Sequence, residues 1–306
     1  MLQEQLETAG FSLKSLKMKR LLFIGILSVL SLQVVGQDTS VIKRPVQITF
    51  ITPFGTNGFE SPDVINNISF NVIAGYHAGL EGIEFGGVAN AERFDVKGAQ
   101  FAGVGNLVLG HQQGLQAAGF GNIVGLSGKG TQLAGFGNVV GGKMNGLQAG
   151  GFGNITGSDH HGLQLSGFGN IAGGKLKGTQ IAGFGNIATD TAEAVQIAGF
   201  INVAATSMEG AQISGFLNVA QKVQGVQIGI VNIADTVDGA SIGLFSIVGN
   251  GYNHIELTGN EALYFSASAK LGSKRFYNIF TTGMQFDDQF RWAVGYGVGT
   301  SIGLSQ

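Results

Sequence analysis

The sequence predicts an all-β chain whose centre is a β-solenoid of 16-residue coils, flanked by amphipathic antiparallel strands. The first observation behind this is a strict repeat. Glutamine recurs at Gln100, Gln116, Gln132, Gln148, Gln164, Gln180, Gln196 and Gln212. Asparagine recurs at Asn106, Asn122, Asn138, Asn154, Asn170, Asn186, Asn202 and Asn218, and phenylalanine at Phe120, Phe136, Phe152, Phe168, Phe184, Phe200 and Phe216. Each interval is 16, and a fixed period of this size marks a repeat array.

The second observation is the spacing of apolar residues within a repeat. Leu163 and Leu165 share a strand face, but Phe168 and Ile171 each lie three residues further on. That fits neither a helix nor one unbroken strand, so the path needs corners, which the pattern puts near Gly167 and Asn170. The third is a change of period. Asn232 follows Asn218 by 14 residues and Ser246 follows Asn232 by 14, while the Gln-to-Asn interval drops from six to five at Gln227 and Asn232. In a continuous strand that change would turn the two amides to opposite faces, whereas a solenoid only tightens a corner.

In a solenoid identical residues stack, so the Gln, Asn and Phe positions form three ladders along the axis, with coils about 4.8 Å apart. Some ten coils make a rod of roughly 50 Å. The phenylalanine ladder is expected in the core and the glutamine ladder on a surface facing water. Glycines such as Gly151 and Gly167 permit tight approach or positive φ at a corner.

The elements follow in order. Met18-Lys19-Arg20, the apolar run Leu21 to Val35 and the small-residue site ending at Gly36 read as a signal peptide over 1–36, with translation starting at Met18 as an option because Glu4 and Glu7 suit an n-region poorly. The run is shorter than the ~20 residues that span a bilayer. Loss of 1–36 removes four basic and two acidic side chains and moves the formal charge from −2 to −4. Residues 37–81 read as N-terminal strands: Val46–Ile51 and Ile68–Ile73 alternate around a turn-rich stretch from Pro53 to Pro62, which predicts an opening hairpin. The repeat array occupies 82–250. Its first member is degenerate, with Glu84 in the glutamine slot and Asn90 sixteen residues before Asn106. Residues 251–306 alternate again, with Trp292, Val294, Tyr296 and Val298 on one face and Arg291, Ala293, Gly295 and Gly297 on the other.

The competing architecture is a single up-and-down outer-membrane barrel whose 11-residue strands would turn Gln164 and Asn170 to the lumen. Against it, no Trp or Tyr lies between Tyr76 and Tyr252, where a barrel needs aromatic girdles, and the connections are all of equal length.

The repeats Gly225-Val-Gln-Ile-Gly-Ile-Val-Asn-Ile-Ala234 and Gly162-Leu-Gln-Leu-Ser-Gly-Phe-Gly-Asn-Ile-Ala172, with the flanks Val46–Gly58 and Arg275–Phe280, resemble the surface-repeat and outer-membrane-associated proteins of Gram-negative bacteria. The resemblance spans nearly all of the chain after residue 36. It implies the cell envelope and no established activity or functional residue. Such proteins continue into further amphipathic strands, whereas this chain stops at Ser305-Gln306, which reads as a C-terminal truncation.

Chemistry-bearing motifs are sparse. Only 12 % of residues are charged, which gives no field to hold a polyanion, so nucleic acid is excluded as a partner. With no cysteine there is no disulfide, thiol nucleophile or lipid-bearing cysteine. Of the carboxylates Asp159, Asp190, Glu193, Glu209, Asp235 and Asp238 only Glu193 and Glu209 lie one period apart, and no acid slot recurs through the array as glycosidase chemistry would need. Asp159-His160-His161 is the one metal-like cluster, but adjacent residues on a strand point to opposite faces, and it reads as a solvated polar turn. Gly141-Gly142-Lys143 and Gly173-Gly174-Lys175 lack the Ser or Thr and the helix of a phosphate loop. The expectation is a non-enzymatic envelope protein of structural, adhesive or scaffold role, with no cofactor or metal, whose partners are envelope components. The alternatives are a pore with Gln and Asn in its lumen, or a polysaccharide-active solenoid.

Overall fold

Glycine at fixed places breaks the chain into short extended pieces, so the repeats from Val96 to Ala198 alternate seven-residue and four-residue strands, as in His160–Ser166 and Gly169–Ala172. From Ile201 on the two run together, as in Ile201–Ser214. The computed structural model describes residues 41–301 apart from 260, 262, 287 and 288. The segment 1–36 read as a signal peptide lies outside the described residues.

Every strand of the array pairs in parallel with its equivalent one coil on. His160–Ser166 lies between Met144–Gly150 and Leu176–Ala182, with Gln164 opposite Gln148 and Gln180. Gly169–Ala172 lies between Gly153–Thr156 and Gly185–Ala188, with Asn170 opposite Asn154 and Asn186. The array is a β-solenoid, not a barrel. An up-and-down barrel requires antiparallel neighbours, and parallel ones here follow from a path that returns to the same side after each circuit. Coil spacing can be read from the stacked rings, whose centroids lie 4.8 Å apart for Phe152 and Phe168, the separation of hydrogen-bonded strands.

The corners differ from the expectation in part. One bend does fall at Gly167-Phe168, but the second is at Gly173-Gly174-Lys175, and Asn170 sits inside a strand. A further kink lies within the long strand at Gly162, whose φ is 130°. A Cβ there would lie 2.1 Å from the Gly146 carbonyl oxygen. The same column nevertheless holds Ala194, and among the described residues no non-glycine has positive φ, so that coil runs straight through this position. Gly162→Ala is therefore expected to cost about 1–2 kcal/mol, the price of flattening one coil, read as a lowered urea midpoint by circular dichroism.

The shortening after Ala220 is distributed over two bends. Ala204 pairs with Ala220 and Ser207 with Lys222, so one residue is lost there. Ile213 pairs with Ile228 and Ile201 with Leu217, and Leu217 with Val231, so a second is lost at the next bend. Strand register and both ladders survive because the deletions fall outside the paired segments.

The N-terminal strands do not form the expected hairpin. Ile42–Ile51 pairs in parallel with Val64–His77, and only the two-residue strand Phe54–Gly55 folds back antiparallel. The intervening stretch, including the 3-10 turn Gly58–Asp63, is long enough to complete a circuit and bring the chain round in the solenoid sense. At the other end, His254–Thr258, Phe265–Ser273, Phe276–Phe286 and Phe290–Gly299 form an antiparallel sheet. It meets the last coils through Asn278 Nδ2 donating to the Gly243 carbonyl at 2.7 Å and through Phe245 stacked on Phe280. A docked sheet of this kind restrains the final coil, whose edge would otherwise offer unpaired backbone groups.

The interior inverts the sequence-based reading. Buried side chains in the coil of His160 are His160, Gln164, Asn170 and Ala172, whereas Leu163, Leu165 and Ile171 are half-buried and Phe168 is 47 % exposed. The phenylalanine ladder is not core and the glutamine ladder is not surface. A 16-residue circuit encloses only a narrow interior, and the Phe position lies on the convex Gly167-Phe168 bend, from which a ring can only project outward. The amides fit inside because the coil spacing lets each bond the next. Small apolar columns fill the remainder, as in the cluster Leu80, Val96, Val108, Val124, Val140 and Met144.

Candidate functional site

Burying a free amide without partners costs several kcal/mol, so the ladders persist only because they are satisfied. Gln164 Nε2 donates to Gln148 Oε1 at 2.8 Å, and Gln180 Nε2 to Gln164 Oε1 at 2.7 Å. This sense continues from Gln227 back to Gln100. The asparagines run the other way: Asn154 Nδ2 donates to Asn170 Oδ1 at 2.9 Å, and Asn170 to Asn186 at 3.0 Å. Each also spends its second hydrogen on a backbone carbonyl, as Asn170 does on Ile181 at 2.8 Å. Two hydrogen-bonded chains of opposite polarity thus line one interior, and bonds within each chain polarise one another.

Their N-terminal ends meet a cluster of ionisable groups. The glutamine chain ends with Gln100 Nε2 donating to Glu84 Oε2 at 2.8 Å. The asparagine chain begins at Asn71, whose Nδ2 donates to Asn90 Oδ1 at 3.0 Å and to Glu84 Oε1 at 2.8 Å. An anion therefore stands at the N–H end of one chain. The oxygen end of the other, the buried Asn71 Oδ1, accepts from Ser69 Oγ at 3.3 Å and lies 3.3 Å from His77 Nε2. His77 Nε2 is also 3.3 Å from Glu84 Oε1 and 3.3 Å from Ser69 Oγ, and its Nδ1 is 2.9 Å from Ser61 Oγ.

Glu92 completes the group. His77, Glu84 and Glu92 are all buried, and one ligand atom from each lies within 4.8 Å of the others. Neither Glu92 oxygen receives a hydrogen bond. Burial, reinforced by the neighbouring Glu84 charge, pushes the Glu92 carboxyl well above the ordinary carboxylate range. Glu84 also meets a desolvation cost that opposes ionisation, but contacts from His77 and Gln100 outweigh it and hold it below that range. Two adjoining buried carboxyls whose values are driven apart can share one proton, which Glu92 would donate to Glu84.

Glu84 was legible in the sequence as the acid in the glutamine slot. Glu92 and His77 were not singled out. The signal was the period itself: sixteen residues before Val108 is Glu92, and His77 pairs with Glu92 one coil earlier, so both occupy an inward column of small apolar residues. The cluster that the sequence did single out comes apart. His161 is exposed, Asp159 lies on the bend with Lys143 Nζ 3.0 Å away, and His160 is in the core between Met144 and Leu176 rather than on a solvated turn. Alternation on the strand separates the two imidazoles, as expected.

The exterior is the second feature. Phe120 through Phe216 stack at 4.8–5.1 Å with interplanar angles of 1–14°. Beside them runs a shallow groove of about 970 Å³ with a floor of Gly119, Gly135 and Gly151 and flanks that include Leu133, Leu165 and Ile181. It exists because a Cβ at Gly151 would strike the Gly135 carbonyl oxygen, so the column cannot carry side chains.

No family model matches the chain, and neither a curated protein nor a solved structure matches it.

Proposed function

We propose that this chain is a non-enzymatic structural repeat protein of the bacterial cell envelope, in which the solenoid is a rigid spacer presenting an apolar stripe to other envelope components. The observation that carries this reading is the division of labour in each coil. The ladder amides that face inward are consumed by bonds to the next coil, and the phenylalanine column faces outward. Among the described residues the His77, Glu84 and Glu92 cluster is sealed from solvent, which suits it to structure rather than turnover. The envelope location rests on the leader-like run Met18–Gly36 and on the resemblance of the repeats to surface-repeat proteins.

An outward aromatic ladder is a candidate platform for sugar stacking, and its geometry argues against that. A sugar packs on the face of a ring, but near-parallel rings about 5 Å apart cover each other's faces and turn mainly edges outward. An edge-on stripe suits apolar material.

The test is expression of the full chain in a Gram-negative host, followed by fractionation and protease treatment of intact cells. Recovery with the envelope, with residues 1–36 removed, supports the proposal. Full-length chain retained in the cytosol would sink it. Replacing Phe136, Phe152 and Phe168 with Ser should release the chain from the envelope fraction while leaving its circular dichroism unchanged.

A further inference from the structure

We propose that His77, Glu84 and Glu92 are the protein ligands of a divalent transition-metal ion, taken up as the first coils close and enclosed thereafter. Four features of the cluster point to an ion and not only to a shared proton. First, a proton on one Glu92 oxygen can serve a bond to Glu84, but it leaves the other oxygen buried without a donor. A cation satisfies a carboxylate through either or both oxygens.

Second, the spacing suits coordination. His77 Nε2 stands 3.3 Å from Glu84 Oε1, and Glu92 offers an oxygen within 4.8 Å of both. Ligand atoms at the corners of a tetrahedron with bonds of about 2.0–2.1 Å are about 3.3–3.4 Å apart. Third, the imidazole is positioned as metal-bound histidines are. Nδ1 is held by Ser61 Oγ at 2.9 Å, and Ser61 is itself fixed by Gln47 Nε2 at 3.1 Å. A proton placed on Nδ1 leaves the Nε2 lone pair aimed at the carboxylates. Fourth, the charges balance. Two carboxylates, a neutral imidazole and a divalent ion sum to zero in a site that cannot tolerate net charge, and Asn71 Oδ1 turns the oxygen end of the asparagine chain toward it. One nitrogen and two carboxylate oxygens favour zinc, cobalt or manganese over soft-ligand ions.

Because the ligands are buried, the ion must enter during folding. The full chain would be unfolded in guanidinium with chelator, then refolded with Co2+, with Zn2+ or with chelator alone, and desalted. Metal content by mass spectrometry and the visible absorption of bound Co2+ are the readouts. The expected result is about one ion per chain, and at least a tenfold lower content in His77→Gln and Glu92→Val. Glu92→Val extends the column of Val108 and Val124 by one coil, so it folds without an ion and separates loss of metal from loss of structure. If the refolded native sequence retains no more Co2+ or Zn2+ than these two variants, the site holds a proton and the proposal fails. Retention unchanged in both variants would place any ion elsewhere and overturn it equally.

Discussion

Replacing Asn170 with Leu is expected to destabilise the solenoid by about 4–8 kcal/mol, since several buried groups lose their partners at once and each costs about 1–3 kcal/mol. Asn186 Oδ1 and the Ile181 carbonyl lose their donor, and one hydrogen of Asn154 Nδ2 loses its acceptor. Leucine keeps the branched outline of the amide and leaves no cavity, but its methyls are bulkier and cannot sit at hydrogen-bond distance, so overpacking of about 1–3 kcal/mol accompanies the lost bonds. Leucine is also the more apolar residue, and a view of the interior as an ordinary hydrophobic core predicts a gain. Urea denaturation followed by circular dichroism decides between them, and a change within about 1 kcal/mol would refute the account of the ladder given above. Phe168→Ser provides the contrast. Although it removes the larger apolar group, that ring is 47 % exposed on a convex bend, and its loss should cost far less than that of the amide.

The contrast locates what the sequence could and could not convey. Period, parallel stacking and the tightened corners after Ala220 were legible because each depends on spacing alone. The side on which each ladder sits was not, because the usual rule that polar residues face water assumes an amide with no better partner. Gln148, Gln164 and Gln180 have one at the coil spacing, supplied by the same residue in the next repeat, and so the rule inverts. Phe168 fails for the complementary reason: nothing in its chemistry reveals that the bend at Gly167 aims it away from a narrow interior. His77 and Glu92 escaped notice because they lie in the irregular first coils, where the motif is absent although the register persists.

That register also explains why an acid is placed at Glu84. Within the ladder each glutamine must accept from one neighbour and donate to the other, which a carboxylate cannot do. At the end of the chain no onward donation is needed, and a carboxylate receives Gln100 Nε2 and Asn71 Nδ2 on its two oxygens. At the opposite end the amides give way to Ser241 and Ser246, small hydroxyls opposite Gln227 and Asn232. The termini of the ladders are thus marked by substitutions that relax one half of the bonding requirement.

Acid should weaken the middle of the rod through one residue. His160 replaces the Met144 and Leu176 of its neighbouring coils, its Nδ1 is 3.2 Å from Thr156 Oγ1, and its Nε2 has no partner. Burial, with a smaller contribution from the charge of His161, drives its imidazole from 6.5 down to about 4. Folded His160 therefore refuses a proton that the unfolded chain accepts. The stability this site permits is intact above pH 6.5 and is lost progressively as pH falls toward 4, by about 3 kcal/mol in all. Of the charged groups nearby, Asp159 is held ionised below its ordinary value by the Lys143 ammonium and does not take up the proton within this window. His160→Leu continues the apolar column and leaves Thr156 its bond to Gln148 Oε1 at 3.0 Å. The variant should match or exceed the native sequence at pH 7.5 and surpass it increasingly down to pH 4.5. Paired urea titrations across that range give the difference directly. Parallel pH dependence of the two proteins would mean that the proton is taken up elsewhere.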